Sequence, residues 1–231
     1  MIYTSMMSAI GADRSMADFV REVLHLRRGE KVLDVGCGPG RLCRYVAAED
    51  YWGIDVNARA LDRARRKYPQ AAERFLLLDP SREALPVRDF DLIVACGLLH
   101  HLPDERARRV FAFCHGHLRD GGRLITLDCA YEAGQHPIAR LLAACDRGRF
   151  ARAGPGYLEL ARDCFPDASL SIHHDLLRVP YTHAIVECRK WSSVLVGHAL
   201  ACPEKAWTSG TRRFGPPLTS PSCLAHREYR E

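Results

Sequence analysis

Apolar positions in this chain gather into short, nearly unbroken runs, and the stretches between them carry apolar residues at helical spacing. Residues 32–35, 51–55, 74–79, 90–96 and 123–128 are runs of the first kind and predict five β-strands. The fourth, Phe90-Asp91-Leu92-Ile93-Val94-Ala95-Cys96, is apolar almost throughout, as a parallel strand covered on both faces must be. Two later runs, 169–177 and 182–189, flank Pro180 and predict a closing antiparallel hairpin. Met16, Val20, Val23 and Leu24 fall on one face of a helix introduced by Ser15-Met16-Ala17-Asp18, which resembles a capping box. Residues 41–48 predict a helix directly after the first strand, and another starts at Ala58. Ala107, Val110, Phe111, Cys114 and Leu118 form a further helical stripe that stops before Asp120-Gly121-Gly122. Strands alternating with helices in this way predict an α/β fold: a seven-stranded, mostly parallel sheet with helices on both faces and a C-terminal antiparallel hairpin.

Residues 129–165, between the fifth and sixth strands, form a connection longer than a minimal crossover. They carry Tyr131, His136, Arg147, Arg149, Phe150, Arg152 and Tyr157, and are the candidate substrate lid. Ile138, Leu141 and Leu142 in the same stretch are expected to pack on the sheet. From Trp191 onward the periodicity stops, and prolines and serines are scattered without pattern. The expected organisation is one domain over residues 1–190 and a poorly ordered extension over 191–231, whose removal should leave cofactor affinity intact.

The junction after the first strand carries the most chemistry. Val32-Leu33-Asp34-Val35 runs straight into Gly36-Cys37-Gly38-Pro39-Gly40, where alternating glycines let the backbone turn sharply and approach a ligand. Strand, glycine-rich turn and helix are the entry of a Rossmann-like βαβ unit. The spacing Gly-x-Gly-x-Gly departs from the dinucleotide fingerprint Gly-x-Gly-x-x-Gly, whose third glycine would stand at Arg41. Asp34 would repel a pyrophosphate and suits a cationic or hydrogen-bond-donating ligand. The second strand ends at Asp55, nineteen residues beyond Gly36, close to the roughly 20-residue spacing at which an acid meets a nucleotide ribose. Capping the helix at Ala58 is the other role open to Asp55, one that Asn57 fills better.

Asp34-x-Gly36-x-Gly38-x-Gly40 resembles motif I of the class I S-adenosylmethionine-dependent methyltransferases. Cys96 and the following Gly97-Leu98-Leu99-His100-His101-Leu102-Pro103-Asp104 resemble the fourth-strand region of small-molecule members of the quinone-biosynthesis type. The resemblance implies S-adenosylmethionine as cofactor, held by Asp34, Gly36, Cys37, Gly38 and Gly40, by Asp55 with Val56, and by Cys96. It places the adenine amino group at Asp79, at the backbone around Pro80 and Ser81, or at both. Leu85-Pro86 lies farther from Asp79 than the corresponding pair does in that family.

The reaction so implied is metal-independent methyl transfer to oxygen, carbon or nitrogen of a small organic acceptor. Aligning the reactants can account for roughly 7 to 11 kcal/mol of barrier, and a general base for a hydroxyl acceptor adds about 100- to 10,000-fold. His100 and His101 are the catalytic candidates because histidine titrates near neutrality. Adjacent side chains face different ways, and His101 is the one expected to line the pocket. The alternative for either is to hydrogen-bond backbone and shape the turn. His173 and His174 are expected to be structural, with His183 a distant candidate.

No Asn-Pro-Pro-Tyr-like segment follows the fourth strand and Cys96 follows alanine, which argues against amino and cytosine-C5 nucleic-acid methyltransferases. No Asp-Asn pair marks a metal-dependent, catechol-type site, and Asp128 alone is weak evidence for a metal. A formal charge of +5 over 231 residues is spread among acids, as in Asp104-Glu105-Arg106-Ala107-Arg108-Arg109, and argues for a solvated helix face over a nucleic-acid surface. The 10 cysteines form no Cys-x-x-Cys pair, so buried reduced thiols are expected. No apolar run is long enough for a membrane span and no signal-peptide pattern opens the chain, which predicts a cytoplasmic protein with a small-molecule partner. Two other functions remain compatible with the motifs: a non-catalytic S-adenosylmethionine-binding partner protein and a nucleic-acid methyltransferase. A nicotinamide-dependent oxidoreductase fits least, because the third glycine is misplaced.

Overall fold

The computed structural model describes residues 12–145, 148–177 and 179–191, with side chains from residue 16. Tyr3, a candidate cofactor contact before the first helix, the Ser15 side chain, Arg147 and the extension beyond Trp191 lie outside the described residues. In chain order the main elements are α1 (Ala12–Phe19), β1 (Val32–Val35), β2 (Tyr51–Asp55), α2 (Ala58–Lys67), β3 (Phe75–Leu77), β4 (Phe90–Cys96), α3 (Asp104–His117) and β5 (Leu118–Tyr131). They continue with α4 (Pro137–Cys145), β6 (Arg152–Ala153), α5 (Gly154–Arg162), β7 (Ser169–His173) and β8 (His183–Arg189).

The main sheet has the order β3-β2-β1-β4-β5-β8-β7. Neighbours from β3 to β5 are parallel, and β8 runs antiparallel to both β5 and β7. This is the expected mostly parallel sheet with its closing hairpin, the last strand being inserted beside β5. The eighth strand, β6, pairs with Ala130 and Tyr131 at the end of β5. Two residues are too few to leave a period, and the sequence did not predict it.

Both faces of the sheet are covered, because successive strand residues point to opposite sides. Leu33, Ile54 and Ile93 pack with Val110, Phe111 and Cys114 of α3 and with Tyr157 and Leu160 of α5. Val32, Leu92, Val94 and Ile125 pack with Phe19 of α1, Leu24 and, on α2, Leu61 and Ala64. Each fully buried large apolar side chain contributes roughly 1.5–3 kcal/mol. These two layers hold the sheet whose strand ends form the site.

Several expectations are corrected. The helix over 41–48 is a single 3-10 turn, Leu42–Tyr45, with Val46 already extended. Val32 N–H donates to Asp50 O at 2.8 Å and Val32 registers against Tyr51, so the chain must return to the start of β1 within a few residues. Asp120-Gly121-Gly122 does not separate α3 from a strand but lies inside β5, at a register shift opposite Phe90 and Leu92. Strands predicted over 74–79 and 169–177 are trimmed to β3 and β7. Of the lid residues expected on the sheet, Ile138 and Leu141 are exposed; Ala139 and Ala143 are the buried side of α4.

Candidate active site

The carboxyl ends of β1, β4 and β5 open into one cavity of about 290 Å³, where ligands of open α/β sheets lie. Met16 and Phe19 from α1, and Leu177, Tyr181 and His183 from the hairpin, complete its wall. Of the residues chosen from the sequence, Asp34, Gly36, Cys37, Gly38, Cys96, His100 and His101 line it. Gly40, Asp55, Val56, Asp79 and Pro80 stand outside that lining.

The glycine loop is held chiefly by the protein itself. Gly36 N and Cys37 N both donate to Ile54 O, Gly40 N donates to Cys37 O, and Gly38 N donates to Asp55 Oδ2 at 2.8 Å. Gly36 and Gly40 both have φ of +74°, and a Cβ would come within 3.2 Å of Leu98 at the first and 3.0 Å of the Phe75 ring at the second. Conformation and space together require glycine there. The backbone N–H groups of Gly36, Cys37, Gly38 and Gly40 are therefore all engaged within the protein. The loop's contribution is its shape and the side chains it fixes.

Asp55 accepts a second backbone bond, from Asn57 N at 2.7 Å, while Asn57 caps α2 through Ala60 N. Each carboxylate oxygen of Asp55 thus has one such donor and retains further lone-pair capacity. Val56 and Leu77, the latter in register with Asp55, are exposed apolar side chains beside it.

Asp34 is buried and accepts a hydrogen bond from the hydroxyl of fully buried Tyr51 at 2.9 Å. Burial pushes its pKa up to about 7; the Tyr51 bond opposes the shift and the nearby charge of Asp55 adds to it. Its hydrogen-bond partner is neutral and the charge that perturbs it is another acid, so a nearby cation would favour its ionised form. Burial, with Asp34 and Asp128 adding and Arg41 opposing, pushes the Cys96 thiol up to about 12, away from the thiolate form.

Asp79 is engaged from another direction. Its Oδ1 accepts from Ser81 N and Ser81 Oγ, and its Oδ2 from Arg106 of α3 at 2.7 Å. Burial alone would raise its pKa, but the Ser81 bonds and the charges of Arg106 and Arg82 outweigh that and hold it below the ordinary value. The Arg106 partnership left no sign in the sequence spacing.

His100 sits in the 3-10 turn Leu99–His101 and is buried, whereas His101 is exposed. Asp128 Oδ1 accepts from His100 Nδ1 at 2.8 Å and from its backbone N at 3.1 Å. A carboxylate can only accept, so the ring proton is on Nδ1 and Nε2 is the basic nitrogen. The sequence reading expected His101 to line the pocket, as both histidines do, and weighed Asp128 only as a metal ligand, not as a partner of His100. Yet the signal existed: Asp128 ends the apolar run predicted as the fifth strand, as Asp55 ends the second.

The candidate lid reaches this turn. Phe150 N donates to His100 O, and a Cβ on Gly148 would collide with the His100 ring and lie 2.8 Å from His100 O. Arg152 fastens the same turn through the carbonyls of Leu99 and Leu102 and through Asp104. Tyr157 donates to Cys129 O at 2.9 Å, and its surroundings are those of a buried crossover helix. The segment thus packs both on the histidine turn and on the end of β5. His173 bonds Ser171 Oγ and His174 pairs with Glu132, both away from the cavity lining. Among the described residues no group of three or more His, Cys, Asp or Glu is placed to hold a metal ion.

Comparison with known proteins agrees with this geometry. Residues 33–124 match the family model of a methyltransferase domain. The chain is 38% identical over 77 residues to an uncharacterized methyltransferase of Mycobacterium tuberculosis strain H37Rv, covering 32% of this chain and 39% of that protein. It is 33% identical over 125 residues to the 27-O-demethylrifamycin SV methyltransferase of Amycolatopsis mediterranei strain S699, covering 49% of this chain and 43% of that one. The matches thus span less than half the length of these two relatives. Among solved structures, a TehB-like S-adenosylmethionine-dependent methyltransferase from Corynebacterium glutamicum superposes with a TM-score of 0.55 at 22% identity, over 81% of this chain and 94% of that one. Residues 33–124 thus match a methyltransferase domain, and the sheet that carries them has the fold of the S-adenosylmethionine-dependent methyltransferase from Corynebacterium glutamicum.

Proposed function

We propose that the chain transfers a methyl group from S-adenosylmethionine to a hydroxyl oxygen of a small organic acceptor, with His100 as general base and Asp128 as the residue that positions it. The observation that carries this reading is the buried His100–Asp128 pair, 2.8 Å apart, on the wall of the cavity that also holds Asp34. The same reading takes residues 1–190 as the catalytic domain, 129–165 as its substrate lid and 191–231 as an extension. It keeps the expected cytoplasmic setting and small-molecule partner; among the described residues no helix is long and apolar enough to cross a membrane.

The residues fit the cofactor. An ammonium group beside Asp34 supplies the charge that this buried carboxylate lacks. The remaining lone pairs of Asp55 suit ribose hydroxyls, and exposed Val56 and Leu77 offer apolar surface to a purine, with Asp79, Pro80 and the Ser81 backbone as its polar contacts. Gly36, Cys37, Gly38 and Gly40 keep the loop clear of the ligand's path, and Cys96 contributes backbone. When bound, the cofactor supplies a methyl group on a sulfonium.

The protein's share of the chemistry is to orient and to hold a proton. His100 Nε2 accepts the proton of the acceptor hydroxyl, and Asp128 keeps the ring in the competent tautomer and balances the imidazolium charge. His101 lines the pocket beside it. The oxygen acceptor named for the Amycolatopsis relative supports the same choice of atom.

The test is release of S-adenosylhomocysteine from S-adenosylmethionine across phenols, alcohols, thiols and amines. Turnover confined to hydroxyl acceptors and lost in His100→Gln is expected. Cofactor binding with no acceptor methylated would favour the non-catalytic binding protein instead.

A further inference from the structure

His183 lines the cavity but has no part in the mechanism above. It opens β8 and pairs across the antiparallel ladder with Cys129, while Asp128 pairs with Ala184. Because side chains alternate along a strand, His183 and Asp128 come to the cavity from opposite faces of the β5–β8 ladder. His183 is 6% exposed, and its Nδ1 has no hydrogen-bond partner among the described residues. The Tyr181 ring stands beside it, with ring centroids 4.7 Å apart, and Phe19, Met16 and Leu177 give the same cavity apolar wall.

Buried polar atoms of native proteins are nearly always paired, and one that is not calls for a partner. If this position needed only to fill space, an apolar ring or branched side chain would do so without stranding a nitrogen. A single polar point in an apolar, aromatic wall is also how small-molecule sites fix the orientation of a ligand.

We infer that His183 is a specificity-determining residue that receives a second polar group of the acceptor. The substrate class is then an aromatic or similarly flat molecule with two hydrogen-bonding groups: the hydroxyl that gives its proton to His100, and a further hydroxyl or carbonyl held by His183. The inference rests on the reading of His100 given above. Burial, with the charges of His173, His100 and His174 adding to it, pushes the His183 pKa down to about 4, so the ring is neutral. A neutral imidazole both donates and accepts, which matches a neutral partner and gives no charge attraction to a carboxylate.

The test titrates protein saturated with S-adenosylhomocysteine with phenol, catechol, resorcinol and hydroquinone. At least one dihydroxybenzene is expected to bind about tenfold more tightly than phenol, the worth of one added hydrogen bond. That advantage should vanish in His183→Leu and survive in part in His183→Gln, with S-adenosylhomocysteine affinity reporting that each variant is folded. Wild-type protein that binds phenol as tightly as every dihydroxybenzene overturns the inference, whatever the variants do. So does a His183→Leu protein that keeps the preference. Failure of wild-type protein to bind S-adenosylhomocysteine overturns the methyltransferase reading itself, and this inference with it.

Discussion

His100 and Asp128 meet at a single oxygen: Asp128 Oδ1 accepts both the ring Nδ1, at 2.8 Å, and the backbone N–H of the same histidine, at 3.1 Å. Two bonds from one residue to one oxygen fix the ring's orientation and tautomer together. Asp128→Asn preserves the shape, but its amide can donate to Nδ1 and favour the wrong tautomer. The expected result is a fall in single-turnover methyl-transfer rate of about 100- to 10,000-fold with S-adenosylhomocysteine affinity little changed. A variant that transfers methyl at the wild-type rate contradicts the role assigned to Asp128.

Arg152 directs all of its guanidinium N–H groups at the histidine turn and its neighbours. Nε and Nη2 bind Asp104 Oδ1, Nη1 binds Leu99 O and Phe150 O, and Nη2 also binds Leu102 O. Lysine cannot reproduce that fork. Arg152→Lys should leave buried carbonyls short of donors and lower stability by roughly 1–3 kcal/mol. It should also cut turnover about tenfold or more by loosening His100, a shift of this size following from small misplacement of a catalytic group. Denaturant unfolding and steady-state kinetics measure the two effects, and a melting change with unaltered turnover would show that Arg152 is structural only.

Asp34 makes cofactor binding pH-dependent. Its folded pKa, about 7, lies above the ordinary 3.8, so the ligand-free protein retains a proton that the unfolded chain has released. Stability of the ligand-free protein therefore falls as pH rises from about 4 to about 7. A ligand ammonium binds the ionised form, so affinity for S-adenosylhomocysteine should climb over the same window and binding below about pH 7 should release a proton. Calorimetry in buffers of different ionisation enthalpy measures that proton. Asp34→Asn should flatten both trends; an unchanged pH dependence in that variant would assign it to another group.

Asp55 joins the glycine loop to the end of β2 by accepting from Gly38 N and Asn57 N. Its replacement removes those bonds together with the proposed ribose contact. Asp55→Ala should weaken S-adenosylhomocysteine binding by about 10- to 100-fold, since hydrogen bonds to a charged group are worth about 1.5–3 kcal/mol. Calorimetric affinity equal to wild type would remove Asp55 from the site.

The sheet was legible in the sequence because its strands are buried on both faces, and burial writes itself as unbroken apolar runs. The glycine loop was legible because positive φ and crowding at Gly36 and Gly40 exclude other residues. What could not be read depends on partners far apart in the chain. The Arg106–Asp79 and Arg152–Asp104 pairs join residues on separate elements, and neither periodicity nor spacing encodes such meetings. Helix 41–48 was overestimated because propensity ignores the Val32–Tyr51 register that calls the chain back. His101 was preferred to His100 because adjacency gives no direction; only Asp128, on a different strand, decides which ring is held.

The central claim is most directly tested by the pH dependence of S-adenosylhomocysteine formation from a phenolic acceptor, in wild-type protein and in His100→Gln. The account predicts a wild-type rate that rises with pH to a plateau, as general-base catalysis requires, and a His100→Gln rate at least about 100-fold lower that lacks this limb while S-adenosylhomocysteine binds equally well. A His100→Gln protein that turns over at the wild-type rate with the same limb, or a wild-type protein that binds the cofactor and methylates no hydroxyl, would contradict it.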